Sequence, residues 1–286
     1  MRKILLSLAV AFGMQAGAQT IDTVITDTLL YRHFDDGTVD TASVSTIDSM
    51  TFGYSHDTIW VSSGGCSGDL TSLTFNGYTY DLVEIGNQCW FKENLQTTMF
   101  RDSTPIAYPG TDNTAWYNNT TGAYAWYDND STTYASTYGA FYNWYAVDNS
   151  ASLCPMGWHV PSDSAWAVLD SFLAHNGYNY DGSVTGNKYA KAMAGSVLWS
   201  AHTGIGTVGN TDYPTYRNKS GFSGLPGGNR FYSGNYNGIG SFGYWWSSSQ
   251  FNTGSAWGRG LNYSSRAVGR SGRDEGNGFS VRCLRD

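Results

Sequence analysis

Four cysteines, Cys66, Cys89, Cys154 and Cys283, constrain this chain of 286 residues more than any other feature. The last stands in GFSVRCLRD, residues 278–286, an apolar strand-like run at the end of the chain, so a bond made by Cys283 ties the final segment to something far upstream. Whether cysteines pair depends on compartment, and the opening MRKILLSLAVAFGMQAGAQT speaks to that: Arg2 and Lys3, then an apolar run from Ile4, then Ala16 and Ala18 spaced for signal peptidase. Residues 1–18 therefore read as a signal peptide, with Gln19 as the new first residue and no cysteine at the junction to carry a lipid. An exported chain, whether periplasmic, cell-surface or extracellular, keeps its cysteines oxidised, and two disulfides are expected. Three pairings are open, and spacing does not choose among them. One of them, Cys66 with Cys89 and Cys154 with Cys283, would close a short loop and a very long one, contributing roughly 3 and 5 kcal/mol on the chain-entropy model. No CxxC spacing exists and the five histidines are scattered, which sets a zinc site well behind disulfides.

Composition narrows the class. Aromatic residues make up 16% of the chain and glycine accounts for 35 positions, whereas charged residues are only 14%. Abundant Tyr, Trp, Gly, Asn and Ser with little charge describe loops that pack on their own aromatic rings, not a disordered chain. The net charge of -7 gives no electrostatic footprint for nucleic acid or an anionic membrane. No later stretch approaches eighteen consecutive apolar residues, so no membrane insertion is expected.

Along the chain, alternating apolar and polar residues on either side of Asp35-Asp36-Gly37 predict a small β-hairpin appendage over residues 19–61, too short to bury a core alone. SSGGCSG, residues 62–68, reads as a flexible linker, and the main domain runs from 69 to 286. There, turns at Asn76-Gly77 and Gly86-Asn87 punctuate three strands. Residues 97–137 show no sustained period and read as irregular, while 138–147 place Phe141, Trp144 and Tyr145 on one helical face. The clearest helix follows Ser162 as N-cap, with Asp163 in its first turn, Trp166, Leu169, Phe172 and Leu173 as the buried stripe and Gly177 as the stop. A shorter helical piece spans 187–195. From Ser220 onward short strands alternate with Gly, Ser and Asn loops, and the fold class is α+β with two to three helices, short antiparallel strands and long irregular loops.

Six segments, VEIGNQCWFKENL, WYDNDSTTYASTYGAFYNWYAV, CPMGWHVPSDSAW, SGFSGLPGGNR, YWWSSS and GFSVRCLRD, follow one another in the order found in the Fibrobacter succinogenes major paralogous domain, and residues 69–286 resemble that family. The appendage resembles the DGT…IDSMTF leader of exported domains. One departure is Ala165 where the family's helix carries a Glu; without it the reciprocal half of the capping box is missing and helix entry rests on Ser162 and Asp163. The family is similar in layout to C-type-lectin-like domains and to the formylglycine-generating-enzyme fold. That resemblance implies a bridge from Cys154 to Cys283, stapling the last strand to the entry of the main helix.

Function is then a matter of sorting side chains. His159, beside Trp158 and just before the helix cap, has no Ser, Cys or paired carboxylate arranged to work with it, and reads as a half-buried histidine bonded to a backbone carbonyl. The formylglycine-generating relatives act through reactive cysteines and a metal, whereas here the four cysteines are expected in structural pairs, so a non-enzymatic chain without a cofactor is expected. Asp128, Asn129 and Asp130, and Asp274, Glu275 and Asn277, offer oxygen ligands that would suit a structural calcium, though Asp and Asn are equally the residues of tight turns. Trp90, Trp144, Trp158, Trp166 and Trp246 read as core. Trp116, Trp126, Trp199, Trp245 and Trp257 sit among polar or Gly-rich residues. The polar loops richest in aromatics, 112–137 and 244–274, carry Trp116, Trp126, Trp245, Trp257, Arg259 and Arg266. Exposed indole faces that stack on sugar rings beside guanidinium donors would make these six a ligand-binding surface for polysaccharide or a surface protein partner. A structural subunit of a surface assembly, with the appendage pairing to a neighbour's sheet edge, is the competing expectation.

Overall fold

In a computed structural model of the chain, Cys66 and residues 70–286 are described, together with three strands nearer the start, and the chain divides into one unit over residues 1–64 and another over 65–286. In the first unit β1 (Thr23–Ile25), β2 (Leu29–His33) and β3 (Val39–Ser43) form an antiparallel sheet in that order, with His33 opposite Val39. The hairpin expected about Gly37 thus carries a third strand. The turn itself, the signal peptide and all of the linker except Cys66 lie outside the described residues.

The second unit begins with β4 (Ser72–Phe75) and β5 (Tyr78–Ile85), joined through Asn76 and Gly77, both at positive φ, as a two-residue turn between twisted strands requires. β6 (Gln88–Phe91) follows. Residues 97–137, expected to be irregular, contain α1 (Asn113–Tyr117), β7 (Tyr124–Ala125) and the start of α2 (Ser131–Tyr138). Each is too short for a period to register in the sequence. Their boundaries are chemical instead: Asp112 caps α1 by accepting from the Ala115 amide, and Asp130 caps α2 by accepting from the Thr133 amide.

The helix expected at 138–147 is broken. Gly139 ends α2 with a φ of 72°, β8 (Phe141–Tyr142) follows, and Asn143 then caps α3 (Trp144–Val147), so Phe141 is on a strand and does not share a helical face with Trp144. β9 (Trp158–His159) precedes α4 (Asp163–His175), which starts at Ser162 as read, the hydroxyl accepting from the Ala165 amide. Trp166, Leu169 and Leu173 are its buried stripe, with Phe172 half-buried at its margin. α5 (Ala190–Met193) is shorter than expected. Six strands complete the unit: β10 (Gly227–Arg230), β11 (Tyr236–Ile239), β12 (Phe242–Asn252), β13 (Ser255–Asn262), β14 (Gly269–Asp274) and β15 (Leu284–Arg285). The class is α+β, but with five α-helices among the described residues instead of two or three, and with an eleven-residue strand, β12, where short ones were expected.

Two five-stranded sheets organise the unit. One has the order β11-β10-β12-β13-β14 and is antiparallel except where β10 meets β12; the other has the order β4-β5-β6-β15-β9. The last strand therefore lies inside a sheet, with Leu284 opposite both Trp90 and His159. Two disulfides, Cys66–Cys89 and Cys154–Cys283, fasten this arrangement, and the second joins the entry of α4 to the end of the chain. Consecutive residues on β6 and β12 point to opposite sides, so Phe91 and Trp246 enter one core while Trp90 and Trp245 enter another beneath α4. Five tryptophans, at 90, 116, 166, 245 and 246, have essentially no exposed surface. At about 25 cal/mol per Å² each contributes at most ~4–6 kcal/mol, so these rings, and not aliphatic layers, dominate the cores. No helix among the described residues is long and apolar enough to cross a membrane.

Candidate functional site

On the Trp246 side of the first sheet, β13 presents two successive glycines, Gly258 and Gly260, between Ala256 and Asn262, and this absence of side chains makes a groove. Register fixes its geometry: Tyr244 stands opposite Gly260 and Trp246 opposite Gly258, while on the far side Gly260 faces Gly269, Gly258 faces Ser271 and Ala256 faces Arg273. The groove has a volume of about 250 Å³ and its floor is the backbone of Gly258, Gly260 and Gly269. One wall is an aromatic series running inward. Phe242 stacks on Tyr244 with centroids 5.8 Å apart, Tyr244 stacks on Phe279 at 5.0 Å, and Phe279 meets Trp246 at 4.4 Å. Asn262, Ser265 and Ser271 bring amide and hydroxyl groups to the lining, and Ala267 and Val268 belong to the loop that continues from β13.

Each glycine has its own reason. A Cβ at Gly260 would come within 3.1 Å of two Tyr244 ring atoms, so glycine here lets the ring settle against the strand. A Cβ at Gly258 would meet only ordinary contacts, 3.6 Å from both the Phe279 ring and the Arg273 stem, and at Gly269 its nearest neighbour would be the Gly260 carbonyl at 3.5 Å. The floor is therefore exposed at 269, buried at 258 beside the Phe279 ring and the Arg273 stem, and covered by Tyr244 at 260. Pockets for drug-sized ligands run from ~300 Å³ upward, so this groove suits one ring-sized group and not an extended chain.

Its charge is one-signed. Among the lining residues only Arg259 and Arg273 are ionisable as cations and none is an acid. Arg259 points to the other face, where its guanidinium donates to Asp163 Oδ1 at 2.8 Å and to Asp170 Oδ2 at 3.0 Å. Arg273 is exposed, with its guanidinium carbon 5.2 Å from the Tyr244 centroid. Burial pushes the Tyr244 phenol up against the opposing pull of the Arg273 charge, so the ring presents a neutral hydroxyl.

The six side chains expected to bind ligand do not form one surface. Trp116, Trp126, Trp245 and Arg259 are buried, which corrects the expectation that their faces are open. Trp116 donates from Nε1 to the Gly276 carbonyl and lies under the Arg230 guanidinium at 4.3 Å. Trp126 packs edge-on to Tyr124 in the first core. Trp245 donates to Asn94 Oδ1 at 2.8 Å beneath α4. Residues 244–274 are mostly sheet, and a strand covered on both faces hides both of two adjacent tryptophans. Trp257 is half-buried on the face away from the groove, with the Arg270 guanidinium 3.5 Å from its centroid and Phe251 edge-on at 4.4 Å. Arg266 is exposed and donates to the Tyr180 hydroxyl. The expected donor Arg259 belongs instead, together with Arg270, to an ion network on α4. Arg270 grips Asp163 through two bonds and holds its carboxyl below the usual range, whereas burial pushes Asp170 up.

The remaining expectations also find definite places. His159 Nδ1 lies 2.6 Å from Asp286 Oδ1, so its partner is a side-chain carboxylate and not a backbone carbonyl, and the ring is more exposed than expected. Asp128 and Asn129 occupy positive-φ turn positions and Asp130 is spent on its cap. Asp274 Oδ1 accepts from the Gly276 amide, Glu275 Oε1 from Gln250 and Asn277 Oδ1 from the Tyr232 amide. Among the described residues no group of three or more His, Cys, Asp or Glu is placed to hold a metal ion.

Phe242, Tyr244, Ser271 and Arg273, which build the groove, were not singled out by the sequence reading. The signal that marks them is WGRGLN and GRSGRD, strand patterns with glycine on alternate or facing positions, a mark of close approach to backbone. A family model described as the Fibrobacter succinogenes major domain matches residues 83–285, more than half of the chain and the whole of the groove. No curated protein and no solved structure matches the chain.

Proposed function

Since the chain belongs to the Fibrobacter succinogenes major domain family, we propose that it is an exported, non-enzymatic binding or adhesion module whose groove at Tyr244 takes a sugar ring of a polysaccharide. The observation that carries this reading is the pairing of a side-chain-free floor, Gly258 and Gly269, with the Phe242–Tyr244 wall. A sugar ring has an apolar face that stacks on an aromatic and a rim of hydroxyls that bond to amides and hydroxyls, and both kinds of group line the groove. Two disulfides suit an oxidising compartment and support export by the signal peptide read in residues 1–18. A likeness to C-type-lectin-like layouts, in which a last strand is stapled near the main helix, supports the same reading. Two alternatives are less well supported. All four cysteines are paired, which leaves an enzyme of the formylglycine-generating kind without a thiol nucleophile. Arg270 and Arg273 on the edge strand β14 discourage edge-to-edge pairing in a surface assembly. The test is a glycan array probed with the wild-type chain and with Gly269→Val, which fills the floor. Binding by the first and not the second supports the proposal, and equal binding by both removes the groove from it.

A further inference from the structure

We propose that the ring bound in the groove carries a carboxylate, so that the ligand class is an acidic polysaccharide containing uronate, with Arg273 as the residue that pairs with the carboxylate. The inference rests on the reading of the groove as the saccharide site and adds the ligand's charge. Among the residues lining the groove there is no Asp, Glu, Lys or His, and of its two arginines Arg259 is consumed by Asp163 and Asp170 on the opposite face. Arg273 is exposed, and its interaction in the groove is with the Tyr244 ring, not with an acid.

A lone guanidinium beside a stacking wall, in a chain of net charge -7, is not a generic basic surface. The protein's overall charge repels a polyanion at long range, and screening confines that repulsion to within about 8 Å at physiological salt. Selectivity for an anion must then come from contact. A guanidinium fork matches the two oxygens of a carboxylate in one plane, where an ammonium would act only as a point charge. Arg273 stands opposite Ala256 on the rim, and the next row inward on the same face pairs Ser271 with Gly258. A ring over the exposed Gly269, with Phe242 and Tyr244 on the wall beside it, then has the Arg273 guanidinium as the partner for a ring-borne carboxylate and Ser271, Asn262 and Ser265 as partners for its hydroxyls. The lining holds no acid, so a neutral sugar is accepted without penalty but without the ionic bond. Discrimination then rests on that bond alone.

The experiment is a calorimetric titration of the full chain with a galacturonate oligomer, its methyl ester, the neutral galactose oligomer and a sulfated galactan, repeated with Arg273→Gln and Gly269→Val. The free acid is expected to bind about tenfold or more tightly than its methyl ester, the scale of one charged hydrogen-bonded contact. Arg273→Gln is expected to erase that difference, bringing the free acid to the affinity of its ester, and Gly269→Val to abolish all binding. Equal affinity for acid and ester, or an acid preference that survives Arg273→Gln, overturns the inference while the groove as saccharide site stands. Equal binding of the sulfated galactan overturns the assignment to carboxylate. Unimpaired binding by Gly269→Val, or no binding of any of the four, overturns the reading of the site itself.

Discussion

The ring of Tyr244 lies against Gly260 on the neighbouring strand, so close that a Cβ added there would stand 3.1 Å from both Cδ1 and Cε1. The aromatic ring supplies the burial that the glycine lacks, and the glycine supplies the space that the ring needs. The two neighbouring floor glycines are in a different position. Gly260→Ala is therefore expected to displace the ring and cost about 1–3 kcal/mol. Gly269→Val, on an edge strand outside the left-handed region, is expected to be neutral or to stabilise by about 0.5 kcal/mol, because it relieves the entropic cost of glycine in a strand. Thermal melting separates the two, and a loss of several degrees for Gly269→Val would show that the floor is tighter than its contacts indicate.

The two disulfides should contribute unequally. Cys154–Cys283 spans 129 positions and Cys66–Cys89 spans 23. On the chain-entropy model, replacing the long bridge by serines costs about 5 kcal/mol and the short one about 3 kcal/mol. Urea unfolding of Cys154→Ser/Cys283→Ser and Cys66→Ser/Cys89→Ser checks the order. Equal losses would mean that packing of β15 between β6 and β9, and not loop closure, sets the stability of the chain's end.

Trp245 and Trp257, close in sequence, should respond very differently to truncation. Trp245 is buried, and its indole donates to Asn94 Oδ1, the acceptor that Arg282 Nε also uses at 3.0 Å. Trp245→Ala is expected to cost about 3–5 kcal/mol. Trp257 is half-buried under Arg270, and its loss is expected to cost about 1 kcal/mol, the scale of an exposed cation–π contact. Neither change is expected to act on binding except through folding, and chemical denaturation alongside the glycan titration distinguishes the two effects.

Acid stability should follow Asp163. Its bonds with Arg270 hold its folded-state carboxyl below the usual value, so it contributes stability that is present above an unfolded pKa of about 3.9 and is lost as pH falls through the lower folded value. Asp170 acts in the opposite sense. Burial raises its folded value, so its contribution is largest when it is protonated and is lost as pH rises through that value. The stability gap between wild type and Asp163→Asn is therefore expected to be widest near neutral pH and to close below about pH 4. A gap that stays constant from pH 7 to pH 2 would mean that the Arg270 bonds favour the ionised carboxyl no more in the folded than in the unfolded chain.

Much of the frame was legible because it is written in side chains. Ser162 before an apolar stripe announces α4, Asn76-Gly77 announces a two-residue turn, and six ordered motifs resemble the family that the chain proves to belong to. The pairing of Cys154 with Cys283 followed from that resemblance, since spacing left it open. Four of the six side chains expected to be open are buried, for physical reasons. Trp245 and Trp246 are adjacent, which on a half-exposed strand would put one ring in solvent, but β12 has a core on each side and hides both. Arg259 sits in a glycine-rich, polar run that looks like a loop, yet it is an inward strand residue neutralised by two carboxylates of α4 contributed from ~90 positions away in sequence. The groove is made by residues that have no side chain. Gly258, Gly260 and Gly269 carry no chemistry to notice, and their meaning appears only when register sets them beside one another.

The measurement that bears most directly on the groove is an amide shift map of the isotopically labelled chain titrated with a galacturonate oligomer, because the proposed floor is backbone and reports on its own occupancy. The account predicts that the amides of Gly258, Gly260, Gly269 and Ser271 move together in one saturable process, that the Arg273 side-chain Nε–H signal moves with them, and that the methyl ester moves the glycine amides far less at equal concentration. Saturable shifts centred elsewhere, for example around Trp257 and Arg266 with the four floor amides unmoved, would contradict it.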